Sequence, residues 1–226
     1  MENVTLIKKL RRFSLWFLFV IVLFSFFTCR KDSSPLKESL STDRSTFYVL
    51  DIKKDMPRNG LTFIHLDSYQ QTTEYSCGPA SVISLLNHYG REGDEMRIAE
   101  EMGTSTTCGT TPEQMTTWLN NNGFEASWNE FGDLDTLKNN LAKNIPTLIE
   151  WSDWGGHWVL VVGYDTRSTS SLSDDVIIFA DPYDHHDDSK DGLSWFNAER
   201  FYYMWYDALL FGRVMRRVYI KAELKP

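Results

Sequence analysis

The chain has 226 residues, 42% of them hydrophobic and 14% aromatic, enough for a sizeable core in one globular domain plus a targeting segment rather than two full domains. A net charge of −8 excludes nucleic acid as a main partner, because phosphate binding needs a basic surface.

The N-terminus is a separate object. Lys8, Lys9, Arg11 and Arg12 precede an apolar run over 13–28 that ends at Cys29. At about 16 residues the run is short for a bilayer span, which takes ~20. Its basic-then-apolar order is that of a secretory signal, so residues 1–28 are expected to be a signal peptide or a membrane anchor. Cys29 resembles a bacterial lipoprotein cleavage site, where the cysteine becomes the lipid-bearing first residue. Phe26, Phe27 and Thr28 depart from the leucine and small residues usual there. Lipidation, an uncleaved anchor and plain secretion all place the remainder outside the cytoplasm, and the first two tether it to a membrane. Residues 29–46, with Pro35, several serines and charges, read as a polar tether, and 47–226 as the domain.

Within the domain a short strand is expected around 61–66. Over 79–89 the pattern turns helical, with Val82, Leu85, Leu86 and Tyr89 at i, i+3, i+4 and i+7. Pro79 suits the first helical position and Gly90 the residue just past the end. Helices over 94–102, 111–121 and 134–143 follow, the second with Pro112 near its start. Beyond Pro146 the composition turns β-branched and aromatic, which predicts strands at Thr147–Trp151, 157–164 and Val176–Ala180. An amphipathic helix over 197–209 and a strand near 213–221 close the chain. Helices first and strands later indicate an α+β domain rather than alternating βαβ units.

The stretch QTTEYSCGPAS, from Gln71 to Ser81, carries the first chemical signal. A thiol becomes a useful nucleophile as a thiolate, and a helix N-terminus favours the thiolate through unpaired N–H groups and a partial positive charge. Cys77 stands there, with Gly78 allowing close backbone approach and Pro79 opening the helix. Such a thiol needs a histidine as base and usually a third group to orient it. Of the five histidines, His65 and His88 lie in an apolar strand and inside a helix, and His185 and His186 in an acidic loop. His157, in GGHWVLVVGYD, begins a strongly apolar strand after two glycines that leave room for a substrate backbone. Asp181, in ADPYD, ends the strand Val176–Ala180. Antiparallel pairing through a loop over 165–175 would return it beside His157 as the orienting carboxylate. Gln71 supplies a side-chain amide upstream of the thiol that could donate to an oxyanion. Each residue alone also reads as ordinary structure: a buried thiol, a strand-edge histidine, an Asp-Pro turn, a loop amide.

In combination they resemble the C39-like branch of the papain-type cysteine peptidases, in which a Gln and a Cys-Gly-Pro helix start precede Gly-His on one strand and Asp-Pro on the next. The run GTTP at 109–112 and the aromatic stretch over 195–205 are similar to that family too, and the resemblance covers about residues 60–222. It implies a papain-like fold, with a helical lobe carrying the nucleophile and an antiparallel sheet lobe carrying the His and Asp. It implies Cys77 as nucleophile, His157 as general base and then acid, Asp181 as orienting carboxylate, and Gln71 with the Cys77 N–H as oxyanion hole. The substrate would be a peptide or protein. Familiar members sit inside export transporters and clip glycine-glycine leaders on the cytoplasmic side. This chain has no nucleotide-binding motif and a signal pointing outward, so that substrate is not carried over.

Two other readings share these residues. One is an amidase or acyltransferase on the same fold, acting on a non-peptide amide. The other is a catalytically silent binding module with Cys77 bridged to Cys108, as an oxidising compartment permits. The run DPYDHHDDSKDG over 181–192 gathers aspartates and histidines but lacks EF-hand spacing, and neither HExxH nor CxxC occurs. It reads as a solvated loop, and no cofactor or metal is expected. Ser76 lies in no GxSxG elbow, which argues against a serine hydrolase.

Overall fold

The computed structural model describes residue 48 and residues 50–51, 56–185, 190–207 and 213–226. The expected signal or anchor over 1–28 and tether over 29–46 lie outside the described residues. Among the described residues no helix is long and apolar enough to cross a membrane.

The helical pattern around Val82 becomes α1 (Cys77–His88), buried from Cys77 through Leu86. It starts two residues before Pro79, with Ser76 at the N-cap and Ala80 N–H donating to Ser76 O at 3.0 Å. Proline is tolerated anywhere in the first turn, because the N–H it lacks has no intrahelical acceptor there. At the far end Arg91 N–H donates to Leu86 O and Gly90 N–H to Asn87 O, with Gly90 at φ 66°, the Schellman closure its position implied. Side-chain caps open the next helices. Asp94 caps α2 (Glu95–Met102), Thr111 and Gln114 form a capping box on α3 (Pro112–Asn121), and Asp133 caps α4 (Leu134–Ala142).

The strands run in chain order as β1 (Leu61–Phe63), β2 (Phe124–Asn129), β3 (Thr147–Trp151), β4 (His157–Asp165), β5 (Val176–Ala180) and β6 (Leu193–Asn197). After α5 (Ala198–Met204) come β7 (Tyr206–Asp207), β8 (Met215–Arg216) and β9 (Tyr219–Leu224). Seven of them form one antiparallel sheet in the order β2-β9-β3-β4-β5-β6, with β1 alongside β4, while β7 and β8 pair separately. The central strands β3, β4 and β5 are buried on both faces, which is why their sequences run apolar without alternation. Val159 and Val161 of β4 join Ile149, Trp151, Ile177 and Phe179 in a core closed by Leu137 and Leu141 of α4 and Phe201 of α5. The alternate residues of β4 turn to the other face, where α1 lies.

Several expectations need correction. The strands β2 and β6 were not foreseen. Both are edge strands, partly exposed, so neither carries a continuous apolar run. The helix expected over 197–209 is confined to Ala198–Met204 among the described residues, with Asn197 accepting from Arg200 N–H as its cap and Trp205 closing it. The closing strand is Tyr219–Leu224 rather than 213–221, because the segment before it turns to pair β8 with β7.

Phe179, fully buried, packs in tilted ring contacts with Trp151, Phe196 and Phe201 at the centre of this core. Phe179→Ala is expected to cost about 3–5 kcal/mol, read as a lower denaturant midpoint in equilibrium unfolding. An unchanged midpoint would mean that this cluster does not carry the sheet.

Candidate active site

The register of β4 and β5 builds half of the site. Leu160 pairs with Ala180, so continuing the ladder sets Asp181 opposite Val159, on the same face as His157 one diagonal away. There His157 Nε2 meets Asp181 Oδ1 at 2.8 Å, with both residues buried. A carboxylate only accepts, so Nε2 carries the proton and Nδ1 is the nitrogen left for the thiol. Asp181 is held in turn by Ser194 Oγ, which donates to Oδ2 at 2.7 Å, and by Tyr183 N–H, which donates to Oδ1 at 2.9 Å.

The other half is the start of α1. The main chain of Trp158 ties the two together: its carbonyl accepts from Ser81 Oγ at 3.0 Å. Its indole N–H donates to Thr110 O at 2.9 Å. Thr110 packs so closely on Gly78 that a Cβ there would lie 2.9 Å from Thr110 Oγ1. A side chain at position 78 would therefore push α1 off the Thr110 loop that the GTTP run forms. These contacts seat Cys77 in the same cleft as His157.

Burial alone would push the Cys77 thiol up. The hydrogen bond and charge of His157, with the N–H groups of Trp158 and Gly78, override it and hold the thiol below its ordinary value. Burial likewise pushes His157 down, but its bonds to Asp181 and Cys77 prevail and raise it to about 10. For Asp181 burial opposes ionisation, and His157, Ser194 and the Tyr183 N–H outweigh it, so its carboxyl lies below the usual range. The arrangement favours thiolate, imidazolium and carboxylate in a row.

Gln71 lines the same cleft, a groove of about 340 Å³ bounded also by Glu74, Cys77, Gly156, His157 and Tyr183. Its Nε2 donates to Thr73 O at 2.6 Å, which uses one amide N–H and leaves the second. Its Oε1 is buried without a partner. All four residues singled out from the sequence thus meet in one place. Cys77 and Cys108 are free thiols, the first buried and the second exposed, so the bridged arrangement is not the one adopted. His65 is exposed, and His88 is half-buried at the end of α1, away from the cleft lining. Of the 181–192 run, 186–189 lie outside the described residues. Among the described ones no group of three His, Cys, Asp or Glu side chains could hold a metal.

Sequence reasoning missed the residues that hold the four in place. Ser194 lies on the unforeseen strand β6. Gln70 donates through Nε2 to Asp181 O at 2.7 Å and accepts from Asp184 N–H at 3.2 Å, while Gln71 N–H donates to Pro182 O at 2.8 Å. The Gln70–Gln71 pair therefore clamps the turn after β5 from across the cleft. Glu95, on α2, accepts from three residues of the loop before Cys77. An amide, a hydroxyl and an acid in polar stretches carry no local signal of these partners.

The sequence model of the Peptidase_C39 like family matches residues 63–208, more than half of the chain. The fold is similar to the peptidase domain of Streptococcus ComA, a bi-functional ABC transporter involved in a quorum sensing pathway. That match has 18% identity and a TM-score of 0.53 over 71% of this chain and 100% of that one. A C39-like peptidase from Bacillus anthracis matches at 15% identity and a TM-score of 0.52, over 73% of this chain and 98% of that one. At such identities the likeness is one of fold. No curated protein matches the chain. Family model, antiparallel sheet and helix-borne cysteine agree: the chain belongs to the Peptidase_C39 like family and is a cysteine peptidase with a papain-like fold.

Proposed function

We propose that the chain is an extracytoplasmic, membrane-tethered peptidase that hydrolyses peptide bonds through Cys77, His157 and Asp181, with Gln71 in the oxyanion hole. The observation that carries the catalytic part is the bonding of His157. One ring nitrogen is fixed on Asp181 at 2.8 Å and the other is left for a thiol at a helix N-terminus. His157 Nδ1 holds the thiol proton. The thiolate attacks the substrate carbonyl carbon, and the oxygen that gains charge receives the Cys77 N–H and the second N–H of Gln71 Nε2. As the tetrahedral intermediate collapses, the C–N bond breaks and the imidazolium gives its proton to the leaving amine, leaving a thioester on Cys77. His157 then takes a proton from water, which attacks the thioester and releases the acid and the thiol. Asp181 keeps Nε2 protonated and the ring in place throughout. Gly156 in the cleft wall leaves room for a substrate main chain.

Tethering rests on the sequence: a basic stretch, an apolar run and Cys29 in that order. Replacing Cys29→Ser is expected to abolish incorporation of labelled fatty acid and to shift the protein out of the membrane fraction. Membrane retention without label would instead make 1–28 an uncleaved anchor.

Three substitutions separate the catalytic roles in peptide hydrolysis. His157→Ala is expected to lower kcat by at least about 10²-fold, and Gln71→Ala by about 10²–10³-fold. Asp181→Asn should lower it by at least about tenfold with the unfolding midpoint little changed. Full activity in any of the three would remove that residue from the mechanism. A protein that turns over simple amides but no peptide would be an amidase on this fold.

The pH dependence follows from the directions of the shifts. The thiol is lowered, so the thiolate persists to below pH 9, and His157 is raised, so the imidazolium persists up to about 10. Both are charged between these limits. The rate should therefore fall on the acid side as the thiolate is protonated, and on the alkaline side as His157 loses its proton. In His157→Ala, burial remains while the compensating bond is gone, so the midpoint for Cys77 alkylation should move to higher pH. An alkylation profile identical to wild type would sink the ion-pair assignment.

A further inference from the structure

Glu95 takes no part in these proton transfers, yet it is 3% exposed and bonded on both oxygens. Oε1 accepts from Thr72 N–H at 2.9 Å and from Ser76 Oγ at 2.5 Å. Oε2 accepts from Thr72 N–H at 3.2 Å and from Tyr69 Oη at 3.2 Å. Among the described residues no cation pairs with it, and its position at the start of α2 adds only the partial positive charge of that helix end. Keeping a carboxylate out of water is costly unless hydrogen bonds replace its hydration. All three residues that replace it here lie in one stretch, 69–76.

The grip is placed with respect to the chemistry. Thr72 directly follows Gln71, and Ser76 directly precedes Cys77. From Ser76 the bonds continue inward: Thr73 Oγ1 donates to Ser76 Oγ at 2.6 Å, and Thr73 O accepts from Gln71 Nε2 at 2.6 Å. A chain of hydrogen bonds therefore runs from Glu95 through Ser76 and Thr73 to the amide of Gln71. The other side of the same loop is pinned separately, by Gln71 N–H on Pro182 O.

We propose that Glu95 is a positioning residue of the oxyanion hole, fixing the Gln71 amide relative to the main-chain N–H of Cys77. The proposal rests on the roles given to Gln71 and Cys77 above. It makes α2, which contributes nothing to the cleft lining, the support for one side of the site. Glu95 does not contact the thiol or the imidazole, so thiolate formation is left to His157.

That separation supplies the test. Iodoacetamide alkylates a thiolate by displacement at carbon and builds no oxyanion, whereas p-nitrophenyl acetate acylates it through a tetrahedral oxyanion. Second-order rates of Cys77 modification by both reagents are measured by peptide mass spectrometry on the full chain, for wild type, Glu95→Ala, Glu95→Gln and Gln71→Ala. Unfolding midpoints are recorded alongside. In Glu95→Ala the acylation rate is expected to fall by at least about tenfold, toward the 10²–10³ that losing a donor outright costs, with alkylation within about twofold of wild type. Gln71→Ala should show the same split. Glu95→Gln, which keeps one acceptor oxygen, should lie between wild type and Glu95→Ala. Equal rates in wild type and Glu95→Ala, or a parallel fall of both rates with the midpoint, would overturn the proposal. If Gln71→Ala acylates normally, the oxyanion assignment itself falls. A Cys77 inert to both reagents in wild type would refute the nucleophile reading instead.

Discussion

An imidazolium and a thiolate are each costly to keep out of water, and the groups around Cys77 and His157 shift both toward those charged forms. Two unit charges ~4 Å apart attract by about 4 kcal/mol at an effective dielectric constant of ~20, while desolvation costs several kcal/mol for each ion. Attraction alone does not carry the pair, so the surrounding donors decide. The N–H groups of Trp158 and Gly78 serve the sulfur, Asp181 serves the ring, and Ser194 Oγ and the Tyr183 N–H serve Asp181. With all three groups ionised, the row of Cys77, His157 and Asp181 would keep a net negative charge, which the N-terminus of α1 faces with a partial positive one. Removing any donor returns the cost of burial to the remainder.

Those donors come from elements far apart in the chain, and the fold is the device that brings them together. Trp158 is the junction. Its carbonyl and its indole each reach a different neighbour, namely Ser81 on α1 and Thr110 in the loop before α3. The next residue back, His157, is aimed at Asp181 by the β4–β5 register. One dipeptide therefore fixes both the docking of the helix that carries Cys77 and the direction of the His157 ring. The aromatic core under Val159 and Phe179 makes that dipeptide stiff.

The loop over 69–76 is a second device of the same kind. It carries Gln71 at one end and leads into Cys77 at the other, and it has little apolar surface of its own to bury. Polar bonds hold it instead, from Glu95 on one side and from the Asp181–Asp184 turn on the other. The groups around the cleft therefore form a network in which Asp181 and Gln71 share supports.

What the sequence by itself determined is local. The period of Val82, Leu85, Leu86 and Tyr89 specified α1, Gly90 its end, and the apolar runs the three central strands, because each signal lies within a few residues of its effect. The quartet Gln71, Cys77, His157 and Asp181, which folding brings to one cleft, stood out as candidates because chemistry restricts which residue types could serve, and their neighbours Gly78, Pro79, Gly156 and Pro182 mark them. The start of α1 was misplaced by two residues because proline is accepted throughout a first turn. Edge strands β2 and β6 went unread because half-exposed strands bury too little to show a pattern. Ser194, Gln70 and Glu95 were decided by the tertiary structure alone. A hydroxyl, an amide or an acid acquires a partner only when folding brings a distant donor or acceptor within ~3 Å, and nothing in its immediate neighbours encodes that meeting.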